Sequence, residues 1–191
     1  MKPVRALLFC IVISVVFFAC AKPPTEEMNS AYEMVTRAEN DLDAVTYGGN
    51  SLARARDALA RMQAEADSKR YDSAKSYAAE ALSAAVRSID EGRAGANRAR
   101  DEAASLISEL QPLVTETEQG INAAKAAGLP LDFKSINEEF ICACQNINDA
   151  KTSLSEGRYK ESLENGKAAR SGLGDINRRL SSVATAVSRK K

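Results

Sequence analysis

The stretch SKRYDSAKSYAAEAL at residues 68–82 decides the fold, because it joins a turn to an alanine-rich helix and recurs later in the chain. Its counterpart is EGRYKESLENGKAAR at residues 156–170, which places Arg70-Tyr71 on Arg158-Tyr159 and Ala81 on Ala169. Because a repeated unit determines the architecture, we expect two units of three helices each, at residues 26–96 and 97–188. Chance alignment of two alanine-rich helices is the alternative.

The composition predicts an all-α protein. Alanine, glutamate, lysine, arginine and leucine are abundant, whereas the 191 residues include 10 glycines and 5 prolines. The abundant types have high helix propensities. We therefore expect a helical bundle of about six helices.

Apolar residues recur at helical spacing along most of the chain. The first helix should be capped by Thr25 and end at Tyr47-Gly48-Gly49-Asn50, with a buried stripe of Met28, Ala31, Tyr32, Val35, Ala38, Leu42 and Val45. Helices should follow at residues 52–66 and from Tyr71, and another across residues 103–124 that Pro112 kinks or breaks. Asp132 should cap the fifth helix, with Ser135 and Glu138 as an alternative capping box, and the sixth should run from Tyr159 to about Ser188.

Isolated glycines interrupt the helical pattern near residues 92–96 and 166–174. They are expected either to mark flexible or bent stretches or to allow close helix packing. Tyr32, Tyr71 and Tyr159 lie on apolar stripes and should be partly buried. Tyr77 points away from its stripe and, with Tyr47, is a candidate for a binding surface.

Residues 1–19 have the layout of a signal peptide. Lys2 and Arg5 precede an apolar run at residues 6–18, and Ala19 is a small residue at its end. A positive start, a short apolar region and a small-residue cleavage site are typical of secretion signals. The run is shorter than the roughly 20 residues of a membrane-spanning helix.

Phe17-Phe18-Ala19-Cys20 resembles a bacterial lipobox, in the relaxed form found in spirochaetal lipoproteins. The resemblance implies cleavage before Cys20 and acylation of its thiol, with residues 20–25 forming a lipidated, proline-rich tether. An ordinary signal peptide or an uncleaved anchor is the alternative. Cys10, inside the apolar run, is expected to be filler.

Two further resemblances concern the helical part. Gly157-Arg158-Tyr159-x-x-Ser162 is similar to half of a tetratricopeptide repeat, which implies hairpins of that kind. Residues 25–100 resemble an uncharacterised family of bacterial alanine-rich helical lipoproteins, through Lys22-Pro23-Pro24, a Leu52-x-x-Ala55 helix and a Tyr71-x-x-Ala74 helix. That resemblance implies a periplasmic or surface helical module and supplies no active site.

The sequence favours neither catalysis nor nucleic-acid binding. It contains no histidine, and its 26 basic residues balance 26 acidic ones, whereas nucleic-acid binding favours a basic patch. Three carboxylate pairs, Asp41/Asp43, Glu116/Glu118 and Glu138/Glu139, are expected to be solvated surface. No cofactor or metal site is expected.

Cys142-Ala143-Cys144 is the remaining chemical motif. Two cysteines two positions apart on a helix face different directions, so a disulfide between them would be strained. Two thiols alone do not complete a zinc site. We expect Cys144 in the core and Cys142 on the outer face; an intermolecular disulfide through Cys142 and a redox role are the alternatives.

The sequence thus predicts a non-enzymatic, lipid-anchored protein of the cell envelope, in the inner or outer membrane and facing the periplasm or the surface. Its expected partners are the membrane, through the lipid on Cys20, and another envelope protein, for which the helices act as a scaffold. The alternative is a periplasmic carrier or transport-associated lipoprotein, which needs an enclosed apolar cavity of several hundred Å³ for a hydrophobic ligand.

Overall fold

The computed structural model describes residues 23–189, which form six α-helices and no strand. The helices are α1 (Thr25–Asn40), α2 (Leu42–Tyr47), α3 (Gly49–Asp67), α4 (Tyr71–Ala126), α5 (Phe133–Ser155) and α6 (Tyr159–Ser188). The prediction of an all-α helical bundle is confirmed. The expected leader and Cys20, with the expected cleavage and acylation sites, lie outside the described residues.

The chain divides into two compact units between Arg93 and Ala94, inside α4. In the first unit, α1, α3 and the first part of α4 enclose a core made largely of alanine. Its larger members are Val35, Leu52, Met62 and Ile89. Alanines allow the helix axes to approach closely, and the few larger side chains fill the remaining volume.

The first helix is shorter than predicted, because Asp41 leaves the helical conformation. Its backbone is extended (φ −86°, ψ 112°), and its side-chain carboxylate accepts a hydrogen bond from the Ala44 amide at 2.9 Å, which caps α2. The break changes the helical phase, so Ala44 is buried while Leu42 and Val45 are exposed. The predicted stripe is therefore wrong beyond Ala38, and also at Tyr32, which is exposed. Thr25 is also not the N-cap: the helix begins at Thr25, and the cap position is occupied by Pro24.

The short helix α2 lies directly against the backbone of α4. A Cβ added at Gly92 would come within 2.5 Å of the Ala44 amide nitrogen, and one added at Gly48 would come within 2.9 Å of the Ser88 carbonyl carbon. The buried Ser88 hydroxyl donates a hydrogen bond to the Gly48 carbonyl at 3.0 Å. Glycine is thus needed at both positions because the two backbones touch.

The second unit is a three-helix bundle formed by the later part of α4, α5 and α6. One layer of its core joins Leu106 and Leu110 with Ile147 and Leu173. The next layer joins Ile121 and Ala124 with Ile136, Ile176 and Leu180. The residue order shows that α5 runs antiparallel to α4 and α6. The α5 N-terminus is capped by Asp132, as predicted, through hydrogen bonds from the Lys134 and Ser135 amides.

Helix α4 is continuous through residues that were predicted to interrupt it. It passes Gly92, Gly95 and Pro112 without a break, so the expected separation of a third and a fourth helix is wrong. Pro112 is exposed, as is Ser108, whose carbonyl loses its usual amide donor. Because that carbonyl lies on the solvent side, water can replace the missing hydrogen bond, and the helix survives.

The two glycine-containing stretches are helical. Residues 92–96 belong to α4 and residues 166–174 to α6. A Cβ added at Gly166 would lie 2.7 Å from a Leu106 methyl group, so the close-packing interpretation holds at this position and at Gly92. The interpretation of these stretches as bends or flexible segments is not supported.

Residues 68–82 and residues 156–170 begin with the same turn geometry. Lys69 (φ 58°) and Gly157 (φ 77°), 88 positions apart, both occupy the left-handed region. The residue after each of these closes the turn with its backbone amide. The Arg70 amide donates a hydrogen bond to the Glu65 carbonyl at 2.9 Å, and the Arg158 amide donates one to the Ser153 carbonyl at 2.8 Å. In the helices that follow, buried positions recur at the same offset: 74/162, 78/166, 81/169, 85/173, 88/176 and 92/180. The sequence repeat is therefore matched by backbone geometry and burial.

Candidate interaction surfaces

Large apolar side chains are exposed on α1 and α2 in the first unit. Leu42 is 77% exposed, Tyr32 57% and Val45 46%. Leu42 and Val45 are three residues apart and so project from the same face of α2. This exposed pair follows from the Asp41 break, which turns Ala44 inward. The sequence pattern predicted Tyr32, Leu42 and Val45 to be core residues, so it did not predict that they form an exposed surface.

A groove of about 480 Å³ lies between the start of α1 and the start of α4. Its apolar floor includes Ala78, Ala79 and Leu82, and its rim includes Glu27 and Lys75, whose charged groups are 2.7 Å apart. The hydrogen bond between them lowers the pKa of Glu27 and raises the pKa of Lys75. Because both side chains are well exposed, this ion pair holds the two side chains together at the rim but contributes little to the free energy of unfolding.

A second groove of about 480 Å³ lies at the end of the second unit where α4 and α6 finish and α5 begins. We call it the terminal groove. It is open to solvent, and no charged side chain lines it; small and apolar residues such as Ala123, Ala127, Leu129, Ala184 and Val187 do. The terminal groove is therefore a shallow apolar trough. The sequence did not predict it, because its alanines indicate only a high helix propensity.

A buried hydrogen-bond network supports one wall of the terminal groove. The Thr117 hydroxyl donates to the Leu113 carbonyl at 2.7 Å and accepts from the Asn177 side-chain amide at 2.9 Å. Thr117 is completely buried, so this link between α4 and α6 satisfies its polar group and fixes the spacing of the two helices. The walls of the terminal groove are therefore formed by two helices, α4 and α6, that this hydrogen bond links.

The two described cysteines, Cys142 and Cys144, are both free thiols. Cys142 is exposed, as expected, but Cys144 is only half-buried, because Ala143 occupies the core position of this turn. The prediction of Cys144 in the core is therefore wrong by one residue. Burial raises the pKa of the Cys144 thiol, and the nearby charge of Glu118 raises it further. Cys144 is thus a poor nucleophile at neutral pH.

The tyrosines differ from expectation at two positions. Tyr32 is exposed instead of lying in the core. Tyr77 does not point away from the bundle, because it is half-buried against the first-unit core, with the Arg61 guanidinium 5.9 Å from its ring centre. Tyr71, Tyr159 and Tyr47 are half-buried. A binding surface built on Tyr77 is therefore not supported.

The carboxylate pairs singled out in the sequence do not form a common site. Asp41 caps α2, and Glu139 pairs with Arg179 and accepts a hydrogen bond from Ser135 at 2.9 Å. Glu116, Glu118 and Glu138 are exposed. Between residues 23 and 189, no group of three or more acidic, cysteine or histidine side chains is arranged to hold a metal ion.

No helix in the described part of the chain combines the length and apolar character needed to cross a membrane. Comparison of the chain with protein-family models, with curated proteins and with solved structures found no match.

Proposed function

We propose that this chain is a lipid-anchored protein of the cell envelope whose helical units act as a non-enzymatic interaction module. The anchor is the acylated thiol of Cys20 after removal of residues 1–19. Anchoring confines the helices to a membrane surface and so raises their effective concentration toward other envelope components.

The support for the anchor comes from the sequence. A charged start, an apolar run and Ala19 lead directly to Cys20, and Pro23-Pro24 follow before α1 begins at Thr25. Each buried methylene contributes about 0.8 kcal/mol, and stable anchoring takes about two acyl chains. Because proline disfavours helix in the residue before it, the segment between Cys20 and α1 suits an extended spacer.

The observation that carries the interaction role is the exposed apolar pair Leu42 and Val45. Both project from α2, whose backbone is held against α4 by Gly48, Gly92 and the Ser88 hydroxyl. A rigid helix that presents apolar side chains to solvent is a favourable docking element, because little conformational entropy is lost on binding. An envelope protein with an apolar surface is the expected partner.

A carrier role is the second candidate, and the terminal groove is what favours it. Its volume reaches the size of small-ligand sites, and its lining is apolar. It opens widely to solvent, however, so a hydrophobic ligand would remain partly in water. We therefore rank the carrier below the interaction module.

Labelling with fatty acid tests the anchor in variants that each replace one cysteine of the N-terminal segment. We expect Cys20→Ser to abolish incorporation of labelled fatty acid and to leave the leader attached. Cys10→Ser, which removes the other cysteine of the leader, is the matched control and should be labelled like the natural protein. Equal labelling of Cys20→Ser and the natural protein would remove the basis of the proposal.

Site-specific photo-crosslinking tests the interaction role. A photoreactive residue at position 42, on the exposed face of α2, should yield a discrete adduct with one envelope protein in intact cells. The same residue at position 151, an exposed polar position of α5, is the control. Identical adducts from both positions, or adducts only with lipid, would argue against α2 as a protein-docking element.

A further inference from the structure

The groove between the start of α1 and the start of α4, which we call the first-unit groove, has a counterpart in the second unit. Helix α6 repeats the burial pattern of the start of α4 at an offset of 88 positions. Helix α1 repeats the pattern of the later part of α4 at an offset of 75: Ala31 and Val35 are buried, and so are Leu106 and Leu110. Each residue that lines the first-unit groove can therefore be paired with a residue of the second unit.

The wall that the first helix contributes is similar in both units. The first-unit groove is lined from α1 by Glu26, Glu27 and Ser30. The residues at the same places in the second unit are Asp101, Glu102 and Ser105. Two carboxylates and a hydroxyl thus recur, so the difference between the two units lies on the facing helix.

The facing wall differs because two long basic side chains are replaced by short apolar ones. In the second unit, Lys167 of α6 extends to Glu102, with 3.3 Å between the charged groups, and Arg170 also pairs with a glutamate of α4. The residues at these two places in the first unit are Ala79 and Leu82, which cannot pair with a carboxylate of α1. The first-unit groove is therefore open where the second unit has the side chains of a lysine and an arginine.

One carboxylate of the first-unit groove has no basic partner. Glu27 pairs with Lys75 at 2.7 Å, which directs the positive charge of this lysine to Glu27. Among residues 23–189, no basic side chain lies within ion-pair distance of Glu26. Glu26 is exposed, so its negative charge is accessible to a cation that enters the groove.

The charged residues next to the first-unit groove do not neutralise its acidic edge. The nearest ones along α1 and α4 are themselves acidic: Glu33, Asp72 and Glu80. The next ones along the chain are the basic residues Arg37, Lys69, Arg70 and Arg87. Arg70 and Arg87 pair with other glutamates, and within the described part of the chain none of the four pairs with a carboxylate of the groove.

We propose that the first-unit groove binds a lysine or arginine side chain presented by a helix of a partner protein. The methylenes of that side chain lie over the apolar floor, and its cationic group meets Glu26, in the arrangement that Lys167 and Glu102 show in the second unit. Long basic side chains commonly bury their methylenes on apolar surface in this way. The first-unit groove is a different surface from the exposed pair on α2, and its occupation does not require acylation of Cys20.

The openness of the groove favours a protein helix over a free cation. A free alkylammonium ion would gain only an exposed ion pair, which strengthens binding by at most about fivefold, and a small apolar contact. A partner helix adds its own apolar face along the alanines of the floor, and it presents the basic side chain from a fixed backbone. The expected partner is therefore an amphipathic helix with a basic residue at the edge of its apolar face.

Two synthetic alanine-based helical peptides test this chemistry. One carries a lysine and an arginine three residues apart, which is the spacing of Lys167 and Arg170, and the other carries two glutamates at the same places. Each peptide is titrated into the full chain, labelled with nitrogen-15 and held in nanodiscs of uncharged lipid. We expect only the basic peptide to shift the backbone amide signals of residues 26–30 and 75–82, and to do so saturably.

A lysine supplied by the chain itself should block the site. Ala79→Lys places a lysine where the second unit has Lys167, so it should abolish the saturable response to the basic peptide. Ala60→Lys adds the same charge at an exposed position of α3 and is the matched control, which should respond like the parent. Glu26→Gln keeps the test valid if Ala79→Lys perturbs the fold, and it should weaken binding by about two- to fivefold.

The reverse substitutions test the comparison between the two units. The double variant Lys167→Ala and Arg170→Leu gives α6 the groove residues of α4. We expect the basic peptide then to shift the amide signals of residues 101–105 and 163–170 as well. Absence of this second response would show that the two basic side chains do not fill an equivalent groove, and it would overturn the proposal.

The remaining outcomes are also decisive. An equal response to both peptides, no response to either, or equal loss of response in Ala79→Lys and Ala60→Lys overturns the proposal. Saturation by hexylguanidinium at the same concentration as by the basic peptide assigns the groove to a free cation. Tighter peptide binding by Lys22→Gln assigns it to the chain's own Lys22. Both results overturn the assignment to a partner helix, and none of these readouts depends on the results at Cys20 or α2.

Discussion

At the scale of single residues, the same residue type serves different purposes at different positions. Gly92 lies in the interior of α4, where a Cβ would meet the backbone of Asp43 and Ala44 at 2.5–2.7 Å. Gly174 lies in the interior of α6, where a Cβ would have no neighbour within 4 Å. The difference cannot be deduced from the two local sequences, because it depends on which helix passes nearby.

We predict that Gly92→Ala lowers the free energy of unfolding by about 1–3 kcal/mol, because the added methyl group forces α2 away from α4. Gly174→Ala should raise the free energy by up to about 1 kcal/mol, the ordinary gain from replacing helical glycine. Urea unfolding followed by circular dichroism measures both. A similar gain for both variants would contradict the close approach of α2 and α4.

Lys69 is the one described residue other than glycine with a positive φ, and its counterpart in the second turn is Gly157. A lysine in this region carries strain that glycine relieves. We predict that Lys69→Gly raises the free energy of unfolding by about 0.5–1 kcal/mol, while Gly157→Ala lowers it by about 1 kcal/mol. Opposite signs in thermal unfolding would confirm that the two turns are equivalent. Destabilisation by Lys69→Gly would show that the lysine side chain matters more than its backbone.

The two described thiols should differ in reactivity. Cys142 is exposed, whereas Cys144 is half-buried and its pKa is raised by burial and by Glu118. We therefore predict that iodoacetamide at neutral pH alkylates Cys142 first, and that Cys144 follows only as the pH rises. Peptide mass spectrometry against time and pH distinguishes them. Faster alkylation of Cys144 would contradict its placement.

At the scale of helices, the spacing of apolar residues predicted where helices form, but it did not predict where one helix ends and the next begins. Buried positions follow α4 at intervals of three or four residues from Ala74 through Gly92, Ala96 and Ala99 to Leu110. This uninterrupted pattern was available in the sequence and outweighs the helix-breaking tendency of two glycines and one exposed proline. The low helix propensity of glycine and proline predicts a break here, but the packing of the continuous buried face keeps α4 as one helix.

The break in the first helix could not be predicted in the same way. Met28 to Val45 has an apolar pattern compatible with one helix, and Asp41 is an ordinary helix-surface residue in sequence. Its capping of Ala44 becomes favourable only because Gly48 and Gly92 let α2 pack against α4. The exposure of Leu42 and Val45 follows from that tertiary contact, so this candidate surface was not predictable from the sequence. The terminal groove was not predictable either, because the alanines that line it indicate only helix propensity in the sequence.

The continuity of α4 makes Pro112 a test at this scale. We predict that Pro112→Ala raises the free energy of unfolding by about 1–3 kcal/mol, because it restores the hydrogen bond to the Ser108 carbonyl and relieves the ring clash. The substituted position is exposed, so no packing is lost. Thermal unfolding measures the gain. A loss of stability would indicate that the proline sets a bend the second unit requires.

At the scale of the whole molecule, the described residues form two helical units that share one repeated turn geometry, and an apolar run at residues 6–18 precedes them in the sequence. The first unit presents exposed apolar side chains on α2, and the second unit presents an apolar groove where α4 and α6 end. Both features suit the interaction role proposed above. The proposed location of the chain at the cell envelope depends on the modification of Cys20.

The most direct measurement is the intact mass and N-terminal peptide of the protein isolated from its own cells. We predict a chain that begins at Cys20, heavier than residues 20–191 by two or more acyl chains, with the added mass confined to the Cys20 peptide. A chain that retains residues 1–19, or that carries an unmodified Cys20 thiol, would contradict it.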